Sequence, residues 1–129
     1  MSTPDTTAAA PVPPVGPITL GEALAALARR IPAGRAVSYG GLAAVLGAGG
    51  PRQAGRAMAE ADPGTPWWRV VRADGSLPAH LAQRAACRWA DEGTPGLAGA
   101  VPRVDLSRAR WEPDDADLAA AEDLAARVG

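Results

Sequence analysis

Two short helical stretches joined by a glycine-rich turn constrain this chain more than any other feature. Ser38 is suited to cap the first, because its hydroxyl can accept a backbone N–H left free in the opening turn. Leu42, Val45 and Leu46 fall on one helical face, and Gly47 suits the left-handed residue that ends a helix. Ala48-Gly49-Gly50 makes a tight turn, and Pro51 suits the first position of a second helix running to about Ala61. Such a pair is a helix-turn-helix.

The flanking segments extend the pattern. Residues 1–16 are rich in Pro, Ala and Thr without periodicity and read as a disordered leader. Thr19 and Glu22 form a capping box for a helix with an apolar stripe of Leu20, Leu24, Leu27 and Ile31, stopped by Pro32-Ala33-Gly34. Val70-Val71-Arg72 and Ser76-Leu77 flank Ala73-Asp74-Gly75 and are expected to form a small hairpin or wing. Leu81, Ala85 and Trp89 mark a further helix ending at Gly93, and residues 94–100 read as loop. Val104 and Leu106 alternate with polar residues before Trp111, the pattern of a short closing strand. Asp114 or Asp115 caps a last helix bearing Leu118, Ala121, Leu124 and Val128. The expected fold is α+β, mostly helical with little strand: a winged helix-turn-helix domain over 17–113, followed by an acidic C-terminal helix over 114–129.

Composition narrows the function. A chain of 129 residues suffices for one domain with a modest core. It has no apolar run of membrane-spanning length and no signal-peptide-like start, so a soluble, cytoplasmic, nucleoid-associated protein without membrane contact is expected. Cys87 is the single cysteine and His80 the single histidine, which excludes an internal disulfide and argues against a cysteine- or histidine-rich metal site. No metal or other cofactor is expected. Net charge is −1 overall, but residues 29–72 hold seven arginines against Glu60 and Asp62, a local net of +5. Positive charge thus gathers on the segment that carries the helix-turn-helix, as phosphate binding requires.

Ser38-Tyr39-Gly40, then Arg52-Gln53-Ala54-Gly55-Arg56-Ala57-Met58, then Pro66-Trp67-Trp68-Arg69-Val70-Val71, occur in that order. Together with Trp111-Glu112-Pro113, this series resembles the DNA-binding domain of the O6-alkylguanine-DNA alkyltransferases. Those enzymes carry a Pro-Cys-His-Arg segment whose cysteine accepts the alkyl group. Trp67 stands at the cysteine position here, as it does in the alkyltransferase-like proteins, and an indole has no lone pair free to attack carbon. Trp68 replaces the histidine, so the base that would activate a thiol is gone as well. The resemblance therefore implies a protein that is not an enzyme.

The resemblance also implies roles. Arg52 is expected to enter the minor groove and fill the gap left by an extruded base, with Gln53, Gly55 and Arg56 completing the DNA-facing set on its helix. Small residues there let the backbone approach a narrow groove. Tyr39, at a helix N-terminus, is expected to press on a phosphate and help rotate the nucleotide outward. Trp67 and Trp68 are expected to line the lesion pocket, where base–aromatic stacking is worth roughly 1–3 kcal/mol. Arg69 and His80 complete the pocket set. Bland readings stand beside these: Tyr39 as a core tyrosine, adjacent indoles as core, Arg69 as a structural hydrogen-bonding group, His80 as a surface histidine. Cys87, mid-helix and away from any activating group, reads as a small core residue.

The expectation is a monomeric reader of alkylated guanine in double-stranded DNA that passes the lesion to nucleotide excision repair proteins. The alternative is a general winged-helix DNA-binding protein whose pocket is plugged by indoles. Two further readings are a residual enzyme using Cys87 and a protein-interaction module led by the acidic tail.

Overall fold

Capping chemistry explains where the helices begin. In a computed structural model that describes residues 16–129, Thr19 and Glu22 close the expected capping box on α1 (Leu20–Ala28). Ser38 Oγ accepts the N–H of Gly41 at the start of α2 (Tyr39–Leu46). Gly47 ends α2 in the left-handed region at φ +80°, and Pro51 opens α3 (Pro51–Glu60). A 3-10 turn, Trp67–Arg69, precedes α4 (Ala79–Glu92), which Gly93 terminates. A four-residue α5 (Leu106–Ala109) and α6 (Asp115–Arg127) complete the helices. The fold is α+β and mostly helical, with α2 and α3 as the helix-turn-helix. The leader expected over 1–16 lies outside the described residues except for Gly16.

The strands are few and short. β1 (Val37–Ser38) pairs in parallel with β2 (Val70–Val71), Val37 opposite Val70 and Ser38 opposite Val71. Ala36 extends this ladder through a parallel bridge to Arg110. β3 (Gly96–Leu97) and β4 (Arg103–Val104) form an antiparallel pair.

Two expectations need correction here. The turn over Ala73–Gly75 forms, with the N–H of Arg72 on the carbonyl of Ser76 at 2.9 Å and Gly75 at φ +85°. Ser76 and Leu77 nevertheless make no strand. Asp74 Oδ1 takes both the N–H and the hydroxyl of Ser76 at 3.0 and 2.6 Å, a local bond that competes with a ladder. Gly75 is instead tied to β4, its carbonyl accepting from Val104 N–H at 2.8 Å, and a Cβ there would run into the Val104 carbonyl. The antiparallel hairpin lies at Gly96–Val104, inside and just beyond the segment expected as loop. The closing strand is also shorter than expected: Val104 lies in β4, but Leu106 opens α5, capped by Asp105, and beyond it only the Ala36–Arg110 bridge is strand-like.

The core has two parts. The larger unites α1, α2, α3 and α6, with Leu24, Leu27, Ile31 and Leu42 almost fully enclosed. The smaller gathers Trp68, Val71, Leu77, Ala85, Trp89 and Val104. The acidic last helix packs on α1 and α2 through Ala121 and Leu124, while Leu118 stays 48% exposed. Arg30 Nε meets Asp117 Oδ1 at 2.7 Å, and Ile18 bridges to Val128. Tyr39 and Trp67 are the two aromatic rings that pack against both parts of the core. They mark the seam.

Candidate nucleic-acid interface

The exposed side of α3 follows from its spacing. Ala54, Ala57 and Met58 are buried against the neighbouring helices, which turns Arg52, Gln53 and Arg56 outward. Arg52, Gly55, Arg56 and Ala59 share one strip at i, i+3, i+4 and i+7. Gly55 and Ala59 of that strip line a cleft, so the two arginines stand beside its mouth. Among the described residues Arg52 makes no ion pair, and Arg56 makes one exposed contact of 3.8 Å to Glu60. Gln53 is partly engaged: its Oε1 accepts the N–H of Gly50 at 3.0 Å, which satisfies a free donor at the start of α3.

The cleft opens at the seam between the two core halves. It holds about 520 Å³ and is lined by Tyr39, Gly55, Met58, Trp67, Leu77 and His80, among others. Small-ligand sites run from roughly 300 to 1,000 Å³. The Tyr39 ring lies beside Gly55 of α3, where a Cβ would stand in ordinary contact with two ring carbons at 4.0 Å. Burial pushes the Tyr39 hydroxyl above its ordinary value while the nearby Arg72 charge opposes the rise, so the group remains a neutral donor at physiological pH. A groove between α1 and α3 also exists, but Glu22, Glu60 and Asp62 make it acidic and no aromatic residue lines it.

The sequence-derived pocket set divides in two. Trp67 is half-buried and lines the cleft, and so does exposed His80. Trp68 and Arg69 do not, which corrects the expectation for both. The 3-10 turn sends successive side chains in different directions, and the two indoles meet edge to face at 5.6 Å. Trp68 is only 8% exposed, and its Nε1 donates to Glu92 Oε2 at 3.1 Å. The carbonyl of Trp68 accepts from Trp89 Nε1 at 2.7 Å. Arg69 donates through Nε and Nη2 to the two Glu92 oxygens, and through Nη1 to the carbonyl of Ile31 at 2.8 Å. Burial raises the Glu92 carboxyl, but hydrogen bonds from Arg69, the N–H of Gly34 and Trp68 outweigh it and hold the group below its usual range. This pair fastens α4 to the 3-10 turn behind the cleft wall.

Cys87 also needs correction. It is exposed, because α4 buries Ala82, Ala85 and Trp89 and so turns position 87 to the opposite side. The spacing of Leu81, Ala85 and Trp89 contained that answer. It does not line the cleft.

Two arginines that line the cleft escaped the sequence reading. Arg84 lies over the Trp67 ring at 5.4 Å from its centroid, and Arg88 over Trp68 at 4.4 Å. Both line the cleft. They stand four and eight residues after His80, a spacing that places them on one helical face.

The comparisons with known proteins agree with this geometry. The family model described as 6-O-methylguanine DNA methyltransferase, DNA binding domain, matches residues 20–93. No curated protein matches the chain. S. pombe Atl1, solved in complex with damaged DNA containing O6-carboxymethylguanine, matches with a TM-score of 0.64 at 26% identity. The match covers 72% of this chain and 94% of Atl1. A structure of S. pombe ATL in complex with DNA gives the same identity, coverage and TM-score. A model match across more than half the chain, on a helix-turn-helix beside an aromatic cleft, leaves one assignment: the chain belongs to the 6-O-methylguanine DNA methyltransferase DNA-binding-domain family and is of its alkyltransferase-like type.

Proposed function

We propose that this protein is a non-enzymatic sensor of O6-alkylated guanine in double-stranded DNA. The observation that carries the reading is the open cleft: Tyr39, Gly55 and Trp67 line it, and the Arg52/Arg56 strip of α3 stands at its mouth. The similarity to Atl1, itself bound to damaged DNA, supports the same reading.

Each step has a residue suited to it. α3 docks in the minor groove, where Gly55 and the exposed Ala59 permit close backbone approach. Tyr39 donates its hydroxyl to a phosphate and turns the nucleotide outward, and Arg52 takes the vacated place in the stack. The extruded base enters the cleft against Trp67. Weak pairing of the lesion lowers the extrusion cost of a few kcal/mol, which favours damaged over intact guanine. No acceptor thiol lines the cleft, since the chain's one cysteine sits elsewhere on α4, so the complex persists instead of turning over. The persistent complex is a signal to nucleotide excision repair proteins, and the sensor works as a monomer in the cytoplasm, on the nucleoid.

Titration of matched duplexes with guanine or O6-methylguanine tests this. Tighter binding of the lesion is expected, and Arg52→Ala should reduce it by about tenfold or more, as loss of a groove-inserted cation does. Equal affinity for the two duplexes would instead favour a general helix-turn-helix DNA-binding protein. Transfer of labelled methyl to the protein would overturn the non-enzymatic assignment.

A further inference from the structure

The two walls of the cleft differ in charge. On the α3 side Gly55, Met58 and Ala59 are uncharged and small or apolar. On the α4 side His80, Arg84 and Arg88 recur every four residues and all face the cleft. Among the described residues neither Arg84 nor Arg88 has a carboxylate within ion-pair distance, although both sit on indole faces. Glu92, the next position of the same row, is consumed by Arg69 and Trp68 behind the wall. Asp62 is the acid that lines the cleft, and Arg29 already meets it at 3.8 Å. The α4 wall therefore carries two arginines with no anion of its own.

From this asymmetry, and resting on the lesion-sensor reading, we infer that the cleft selects O6 adducts whose free end is anionic, a carboxylate above all. The base lies against Trp67 and the neutral α3 wall. The adduct points across to α4, where Arg84 and Arg88, one helical turn apart and both lining the cleft, offer charge-assisted hydrogen bonds to its carboxylate. A methyl adduct fits the same cleft but gives these cations nothing to bind.

The test uses the full chain and three duplexes of one sequence carrying guanine, O6-methylguanine or O6-carboxymethylguanine. The wild type is expected to bind the carboxymethyl duplex about tenfold tighter than the methyl one at low ionic strength, a ratio that shrinks as salt screens the exposed charges. Arg84→Gln and Arg88→Gln should each bring the ratio towards one, and Arg84→Lys should retain part of it by keeping the charge. Circular dichroism of each variant checks that α4 is intact. A wild-type ratio at or below one, or a ratio that survives both glutamine substitutions, overturns the inference alone. Equal wild-type affinity for all three duplexes overturns the lesion-sensor reading with it.

Discussion

Trp67 and Trp68 are consecutive and chemically identical, yet they belong to different regions of the molecule. Trp67 faces the cleft with Tyr39 and Arg84, and it is only half-buried. Trp68 faces inward, where Glu92, Trp89 and the stacked guanidiniums of Arg69 and Arg88 surround it. The cleft region keeps open space and unpaired cations, while the region behind it satisfies nearly every polar atom it encloses. Proteins separate the two in this way because a surface that must receive a ligand forgoes the packing that stabilises a core. Here the division falls between neighbouring residues.

The strongest way to break the comparison is to truncate each indole. Trp68→Ala should lower stability by about 3–5 kcal/mol, since it opens a cavity and removes the indole N–H that Glu92 accepts. Trp67→Ala should lower it by only about 1–2 kcal/mol while abolishing discrimination between lesion and control duplexes. Urea unfolding reads the first effect and duplex titration the second. Similar stability losses for the two would show that the division is not real.

Glu92→Gln comes next and sharpens the buried side. Arg69 then keeps its charge with no anion to meet it, a loss of roughly 1–3 kcal/mol near neutral pH. The carboxyl of Glu92 is held below its ordinary 4.5, so its contribution is full above that value and disappears as pH falls through the lowered one. Wild type and variant should therefore converge in stability as the pH falls below that lowered value. A constant gap across the acid range, measured by urea unfolding at several pH values, would contradict this role.

Gly55→Ala is the smallest change and sets helix stability against the cleft. Its Cβ meets Tyr39 at 4.0 Å, an ordinary contact, so the helix tolerates it. Removing a glycine from a helix interior should raise stability by about 0.5–1 kcal/mol. The same methyl narrows the cleft, and lesion affinity should fall by about two- to fivefold. Thermal unfolding and titration of one preparation would show the opposite signs together.

The features legible in the amino-acid order share a short reach. The Thr19–Glu22 box, the Ser38 cap, the left-handed Gly47, Pro51 at the head of α3 and the Gly93 stop each depend on partners within about four residues, and all appear as read. The small residues of α3 read as allowing close approach to DNA, but Ala54 and Ala57 are buried with Met58 against the neighbouring helices, and Arg52 and Arg56 stay outside. For Cys87 the spacing of Leu81, Ala85 and Trp89 points outward, against the general tendency of cysteine to be buried, and the helix periodicity wins. The α4 arginines were equally readable as a row. Only the facing cleft gives that row its meaning, and the cleft needs Trp67 and Tyr39 from other segments.

What the linear order determined by itself is the five longer helices, the turn between α2 and α3, the concentration of positive charge, and the absence of a nucleophile at position 67. Tertiary structure alone decided which indole opens to solvent, where the strands pair, and where the acidic last helix rests. Val37 finds Val70, Trp68 finds Glu92, and Arg30 finds Asp117 across 33, 24 and 87 residues respectively. Local backbone preference carries no information at such separations. There the outcome rests on which arrangement buries the most apolar surface while leaving each enclosed charge and hydrogen-bonding group with a partner.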